Sequence, residues 1–168
     1  MKILLCGDID SGKSTLIRKL LEDIGRPPRG YITVRMPPVD GVSKVYLYDI
    51  ANPPERVEDA AVIIAMGDGK KQRHPELLDT LGVQYLTDIP AGSVVVLDEI
   101  GSLESASPEF QKAVMRILSG DYTVLASVKA ANTDFLRAVR KHPDCELYII
   151  TPDNRDALYE QLKAEYSI

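Results

Sequence analysis

The chain has 168 residues and carries 20 basic against 25 acidic side chains, a net charge of −5. That length suits one α/β domain over residues 1–168 and leaves little room for two, while 45% hydrophobic content fills a sizeable core and excludes disorder. The mild acidity argues against a broad grip on nucleic acid or on an anionic membrane, so phosphate recognition has to come from a focused pocket.

Two cysteines, Cys6 and Cys145, stand far apart and give neither a disulfide framework nor a zinc spacing. His74 and His142 lack a second His or Cys at ligand spacing and read as surface residues. The apolar run Ile3 to Cys6 is too short for a signal-peptide core or a membrane span, so a cytoplasmic location is expected.

In chain order, Met1 to Cys6 reads as a strand. A Gly-containing turn follows, and then a helix with Leu16, Ile17, Leu20, Leu21 and Ile24 on one face. After the Arg26-Pro27-Pro28 break, Tyr31 to Arg35 is predicted to pair with Lys44 to Ile50 in a β-hairpin across Asp40-Gly41. Ala60 to Met66 reads as a strand and Pro75 to Leu81 as a short helix. The continuous run Val94 to Leu97 has no polar alternation, which predicts a strand covered on both faces in a parallel sheet. Ser107-Pro108 then opens a helix with Phe110, Ala113, Val114, Ile117 and Leu118 on its apolar stripe. Tyr122 to Val128 is the next strand, Thr133 to Lys141 a helix, Glu146 to Ile150 the last strand, and Thr151-Pro152 caps a final helix toward Glu165. Strands alternating with helices of this length predict a three-layer α/β/α sandwich with a mostly parallel sheet.

Gly7-Asp8-Ile9-Asp10-Ser11-Gly12-Lys13-Ser14 fits G-x-x-x-x-G-K-[ST] and lies between a predicted strand and a predicted helix. Backbone N–H groups of such a loop form an anion nest, and the helix adds its positive end. Lys13 is placed to reach the β- and γ-phosphates and the Ser14 hydroxyl to ligate Mg²⁺, with Thr15 a weaker α-phosphate contact. Asp98 ends the buried strand where a carboxylate can share that ion with Ser14. Glu99, next to it, is suited to take a proton from the attacking water. Further positive charge for the γ-phosphoryl group is sought among Arg35, Arg73, Lys129 and Arg155. Lys129 and Ser127 stand at the carboxyl edge as candidate γ-phosphate sensors.

These residues, with Val94 to Glu104 (VVVLDEIGSLE) and Tyr122 to Leu158, resemble the P-loop nucleoside-triphosphatase family, to which a human cancer-related nucleoside triphosphatase belongs. Asp98-Glu99-Ile100-Gly101 followed by Glu104 matches the family string, as do Gly30-Tyr31 with Arg35, and Asn154-Arg155-Asp156. The resemblance implies a RecA-like sheet and Mg²⁺-dependent hydrolysis of several nucleoside triphosphates, with Glu99 as base. The stretch Ala51 to Gly92 departs from the family pattern, and Lys129 stands where members often carry His. A small P-loop kinase, with Lys70, Lys71 and Arg73 in a short lid, and a nucleotide-dependent binding switch are the competing readings. Nucleoside triphosphates are the expected ligands, with no nucleic acid or membrane partner and a monomer as the expected state. Base preference stays open.

Overall fold

The structure is a computed structural model and describes residues 1–52, 61–65, 69–101 and 103–168; it leaves the side chain of Ser105 undescribed. Its strands are β1 (Lys2–Cys6), β2 (Pro28–Arg35), β3 (Ser43–Asp49), β4 (Ala61–Ala65), β5 (Lys71–Arg73), β6 (Val94–Ile100), β7 (Thr123–Val128) and β8 (Glu146–Ile149). The helices are α1 (Lys13–Ile24), α2 (Val83–Tyr85), α3 (Pro108–Ser119), α4 (Asp134–Arg140) and α5 (Arg155–Tyr166). All eight strands join one sheet in the order β5-β4-β3-β2-β6-β7-β1-β8. From β2 to β8 the neighbours run parallel, and β3, β4 and β5 extend the sheet as an antiparallel wing.

Alternate residues of the central strands serve the two faces. Ile3 and Leu5 of β1 with Val96 of β6 pack against Leu16, Leu20, Leu158 and Leu162 of α1 and α5. Leu4 of β1 with Val95 and Leu97 of β6 pack against Phe110, Val114 and Ile117 of α3 and Leu136 and Val139 of α4. Both faces are dry, which is why these strands read as unbroken apolar runs. The predicted three-layer sandwich follows from this division.

The hairpin forms as predicted, with Tyr31 opposite Asp49 and Arg35 opposite Val45. Its tip turns at Asp40 and Gly41, φ 49° and 74°, between the bridged pair Val39 and Val42. Two left-handed residues in succession give the twist that a tight hairpin prefers. Gly30 is forced by contact: at φ 99°, a Cβ there would lie 2.2 Å from the Val96 carbonyl oxygen of the neighbouring strand. That close approach lets β2 join β6 and carries the hairpin to the carboxyl edge of the parallel strands.

Several boundaries differ from the expectation. The strand predicted over Ala60 to Met66 is β4, and both of those end residues lie outside the described ones. The helix predicted over Pro75 to Leu81 starts at Glu76, widens into a π-turn at Leu78–Gly82 and runs into α2, with Gly82 fitted against Phe110. Strand β5 is a Lys-Gln-Arg triplet, exposed throughout, with no apolar pattern to announce it. Ser107 occupies the cap position of α3, but its hydroxyl donates to the Pro75 carbonyl oxygen at 2.8 Å instead of accepting from the helix. Helix α5 begins at Arg155, because Thr151 and Asn154 bond each other in a turn before it: Thr151 N–H donates to Asn154 Oδ1 at 2.8 Å and Asn154 N–H to Thr151 Oγ1 at 3.2 Å. His142 is a correction too: it is buried at the end of α4, with Nε2 3.0 Å from the Ser119 hydroxyl. His74 stays partly exposed beside Glu76. Cys6 and Cys145 are free thiols. No helix among the described residues is long and apolar enough to cross a membrane.

Candidate active site

The carboxyl ends of β1, β6 and β7, with β2 alongside, open into a cavity of about 440 Å³. The loop between β1 and α1 forms its floor. Gly12 sits at φ 94°, and a Cβ there would lie 2.6 Å from Arg155 Cδ, so the glycine lets the loop turn into α1 directly beneath that arginine. Lys13 Nζ donates to the Gly7 carbonyl oxygen at 2.8 Å, to the Asp8 carbonyl oxygen at 2.5 Å and to Ser11 Oγ at 3.3 Å. Partial burial holds its ammonium below the usual lysine range, against the raising effect of Glu99 and other nearby acids.

The acidic wall comes from an irregular strand end. Leu97 pairs with Ala126 and Ile100 with Val128, so β6 spends one residue more than β7 between those two pairs, and Glu99 takes a left-handed φ of 71°. In a regular strand, Asp98 and Glu99 would face opposite sides. The bulge brings both to the cavity. A left-handed non-glycine residue costs about 1–2 kcal/mol, and neighbouring groups hold it there. Glu99 N–H donates to Ser127 Oγ at 2.6 Å, Ser127 Oγ donates to Asp98 Oδ1 at 2.8 Å, and Thr33 Oγ1 donates to Glu99 Oε2 at 3.1 Å. Lys129 Nζ forms an ion pair with Glu99 Oε1, both side chains about one-third exposed.

Ser14 Oγ donates to Asp98 Oδ1 at 3.1 Å. Burial raises the Asp98 pKa, and the hydrogen bonds from Ser127 and Ser14 pull it back. A hydroxyl and a carboxylate this close are the hard oxygen donors that Mg²⁺ takes alongside water and phosphate. Among the described residues, no cluster of three or more His, Cys, Asp or Glu side chains could hold a metal alone.

Of the residues singled out in the sequence, Gly7, Ile9, Asp10, Gly12, Lys13, Ser14, Thr15, Arg35, Asp98, Glu99, Ser127, Lys129 and Arg155 line the cavity. Asp8 and Ser11 lie behind it as partners of Lys13. Arg155 lies over Gly12 with its Nε 3.1 Å from Asp156 Oδ1, so the helix-start ion pair and the place at the phosphate loop coexist. Arg73 is not brought to this cavity; it lines a neighbouring one. The position of Ser127, one hydrogen bond from both acidic residues, makes it a brace for the bulge. Thr33 went unnoticed in the sequence, because its partner is 66 residues away and a strand threonine gives no local signal.

A family model described as NTPase matches residues 2–163. The chain belongs to the NTPase family. Nucleoside-triphosphatase THEP1 of Methanothermobacter thermautotrophicus is 28% identical to this NTPase over 163 residues, covering 95% of this chain and 92% of the relative. THEP1 of Thermofilum pendens is 39% identical over 100 residues, 58% of this chain and 55% of its own length. Two solved structures share the fold of this NTPase: THEP1 from Aquifex aeolicus, with a TM-score of 0.65 at 22% identity and 96% of each chain covered, and a human cancer-related nucleoside triphosphatase, with 0.66 at 23% identity, 97% of this chain and 95% of that one.

Proposed function

We propose that this chain hydrolyses nucleoside triphosphates, ATP and GTP among them, to the diphosphate and inorganic phosphate in a Mg²⁺-dependent reaction, as a single catalytic unit over residues 1–168. The observation that carries the reading is the bulge that turns Glu99 toward the phosphate loop beside Asp98. The names of the relatives point the same way.

In this reading, the loop from Gly7 to Thr15 holds the phosphates through its backbone N–H groups, and Lys13 leaves the loop carbonyls to meet the β- and γ-oxygens. Ser14 and Asp98 would hold the ion, which would supply neutralising charge to the phosphates. Glu99 orients the attacking water and accepts its proton. Lys129, already paired with Glu99, gives positive charge to the transferring phosphoryl group, and Arg155 flanks the loop. Nothing in these roles reads the base, which fits several triphosphates serving as substrates.

The test is phosphate release from ATP, GTP, CTP and UTP with and without Mg²⁺, for the wild type and Glu99→Gln, with a pool of nucleosides as acceptors. Mg²⁺-dependent release across bases, lost in the variant and indifferent to acceptor, is the expected result. Phosphotransfer that needs an acceptor would make the protein a kinase.

A further inference from the structure

Beside the nucleotide cavity lies a second one of about 190 Å³, walled by β2, β3, β4, β5 and the turn after β6. The two share Thr33, Arg35, Glu99 and Lys129, so the second opens from the side where the γ-phosphate is cleaved. Two residues of its lining each carry a buried polar atom with no hydrogen-bond partner among the described residues: the Tyr31 hydroxyl and Glu104 Oε2. A buried polar group left this way loses its water and gains nothing in return. Both are fixed in place. Tyr31 is 1% exposed with its ring against Phe110, centroids 5.4 Å apart. The Glu104 backbone carbonyl oxygen accepts from Ser107 N–H at 3.0 Å and from Gln111 Nε2 at 2.8 Å.

Lys71 and Arg73 of β5 line the cavity as well, and together with Arg35 they have no carboxylate partner among the described residues. A ligand that satisfies this lining carries negative charge for the cations and both donor and acceptor oxygens for the phenol and the carboxyl group. Phosphate at neutral pH has P–O⁻ and P–OH on one small ion. With the diphosphate still seated on the loop, this side chamber also gives the cleaved group a place that does not require the nucleotide to leave first.

We propose that the second cavity is a binding site for inorganic phosphate, into which the cleaved γ-phosphate moves before release. The proposal rests on the hydrolase reading for the origin of the ion, and its test is separate. Inorganic phosphate is titrated into the full chain saturated with Mg²⁺ and ADP, with binding followed by ³¹P NMR, for the wild type, Arg73→Ala and Tyr31→Phe.

The wild type is expected to bind phosphate saturably, and Arg73→Ala to weaken that binding about tenfold or more by loss of a charged hydrogen bond. Tyr31→Phe keeps the ring and removes a hydroxyl that has no partner among the described residues, so it is expected to weaken phosphate binding while leaving the unfolding midpoint unchanged or higher. Single-turnover cleavage of ATP is expected to stay within about twofold of wild type in Arg73→Ala, since that residue does not line the nucleotide cavity. Unaltered phosphate affinity in both variants, or binding abolished only by Lys13→Ala, would overturn the proposal. Turnover of the triphosphates is measured in parallel on the wild type, and its absence overturns the hydrolase reading by itself.

Discussion

Lys129 pairs with Glu99 through Oε1 while Thr33 donates to the other carboxylate oxygen, so the proposed base is gripped at both oxygens, by a residue of β2 and by one just past β7. A base so held is already aimed, and in the proposed reading the cation holding it also serves the γ-phosphoryl group. The two residues should therefore act as a unit. Glu99→Gln is expected to lower turnover roughly 10²- to 10⁴-fold and Lys129→Met roughly 10²- to 10³-fold. The double variant should lose little more than Glu99→Gln alone. Turnover of the four proteins, with nucleotide affinity as control, checks this; losses that simply multiply would show the pair acting independently.

Ser127 predicts a different pattern. Its hydroxyl accepts from Glu99 N–H and donates to Asp98 Oδ1, so Ser127→Ala leaves a backbone donor and a buried carboxylate each short of a partner. Stability should fall by about 1–3 kcal/mol in denaturant unfolding. Turnover should fall too, because the left-handed turn loses the contact that offsets its strain. Ser127→Thr, which keeps the hydroxyl, should recover most of both. A variant with wild-type stability and reduced turnover would mean that Ser127 meets the substrate directly.

The parallel core and the phosphate loop were legible because both are local: apolar runs of one period, and a motif whose glycines and lysine occupy eight consecutive residues. Asp98 and Glu99 were legible as a pair at a strand end, but not the bulge that turns both the same way, since a bulge is set by the neighbouring strand's register. Ser127 is legible for its place at the edge but not as a brace for the bulge, because its two partners are 28 and 29 residues distant. Strand β5 and the burial of His142 left no mark in the pattern. A polar triplet pairs with β4 only because the sheet edge is there, and a histidine is covered only when α3 folds over it.

Gly12 bears on the loop itself. Gly12→Ala puts a methyl group at φ 94° and 2.6 Å from Arg155 Cδ. The left-handed conformation alone costs a residue with a side chain about 1–2 kcal/mol, which corresponds to about 5- to 30-fold in nucleotide Kd if the loop must reform to bind. Arg155→Ala in the same protein removes the collision and not the backbone cost, so it should restore only part of the affinity. Equilibrium titration with a fluorescent nucleotide separates the two contributions; full restoration would mean that the arginine contact accounts for the whole loss.

Glu104 predicts how stability changes with pH. Burial pushes its carboxyl pKa from 4.5 up to about 7, partly offset by backbone hydrogen bonds and by Lys129. The folded chain therefore keeps a proton that the unfolded chain releases above about pH 4.5. Its contribution is fully present below that pH and is lost as pH rises toward 7. A shift of that size corresponds to at most about 3 kcal/mol. Glu104→Gln cannot ionise and keeps a similar shape, so its stability relative to wild type should rise by up to that amount between pH 4.5 and 8. Denaturant unfolding of both proteins across this range isolates Glu104 from the other carboxyl groups, which are common to the two chains. A difference that stays flat with pH would mean that Glu104 is ionised in the folded state throughout, stabilised by positive charge in the second cavity.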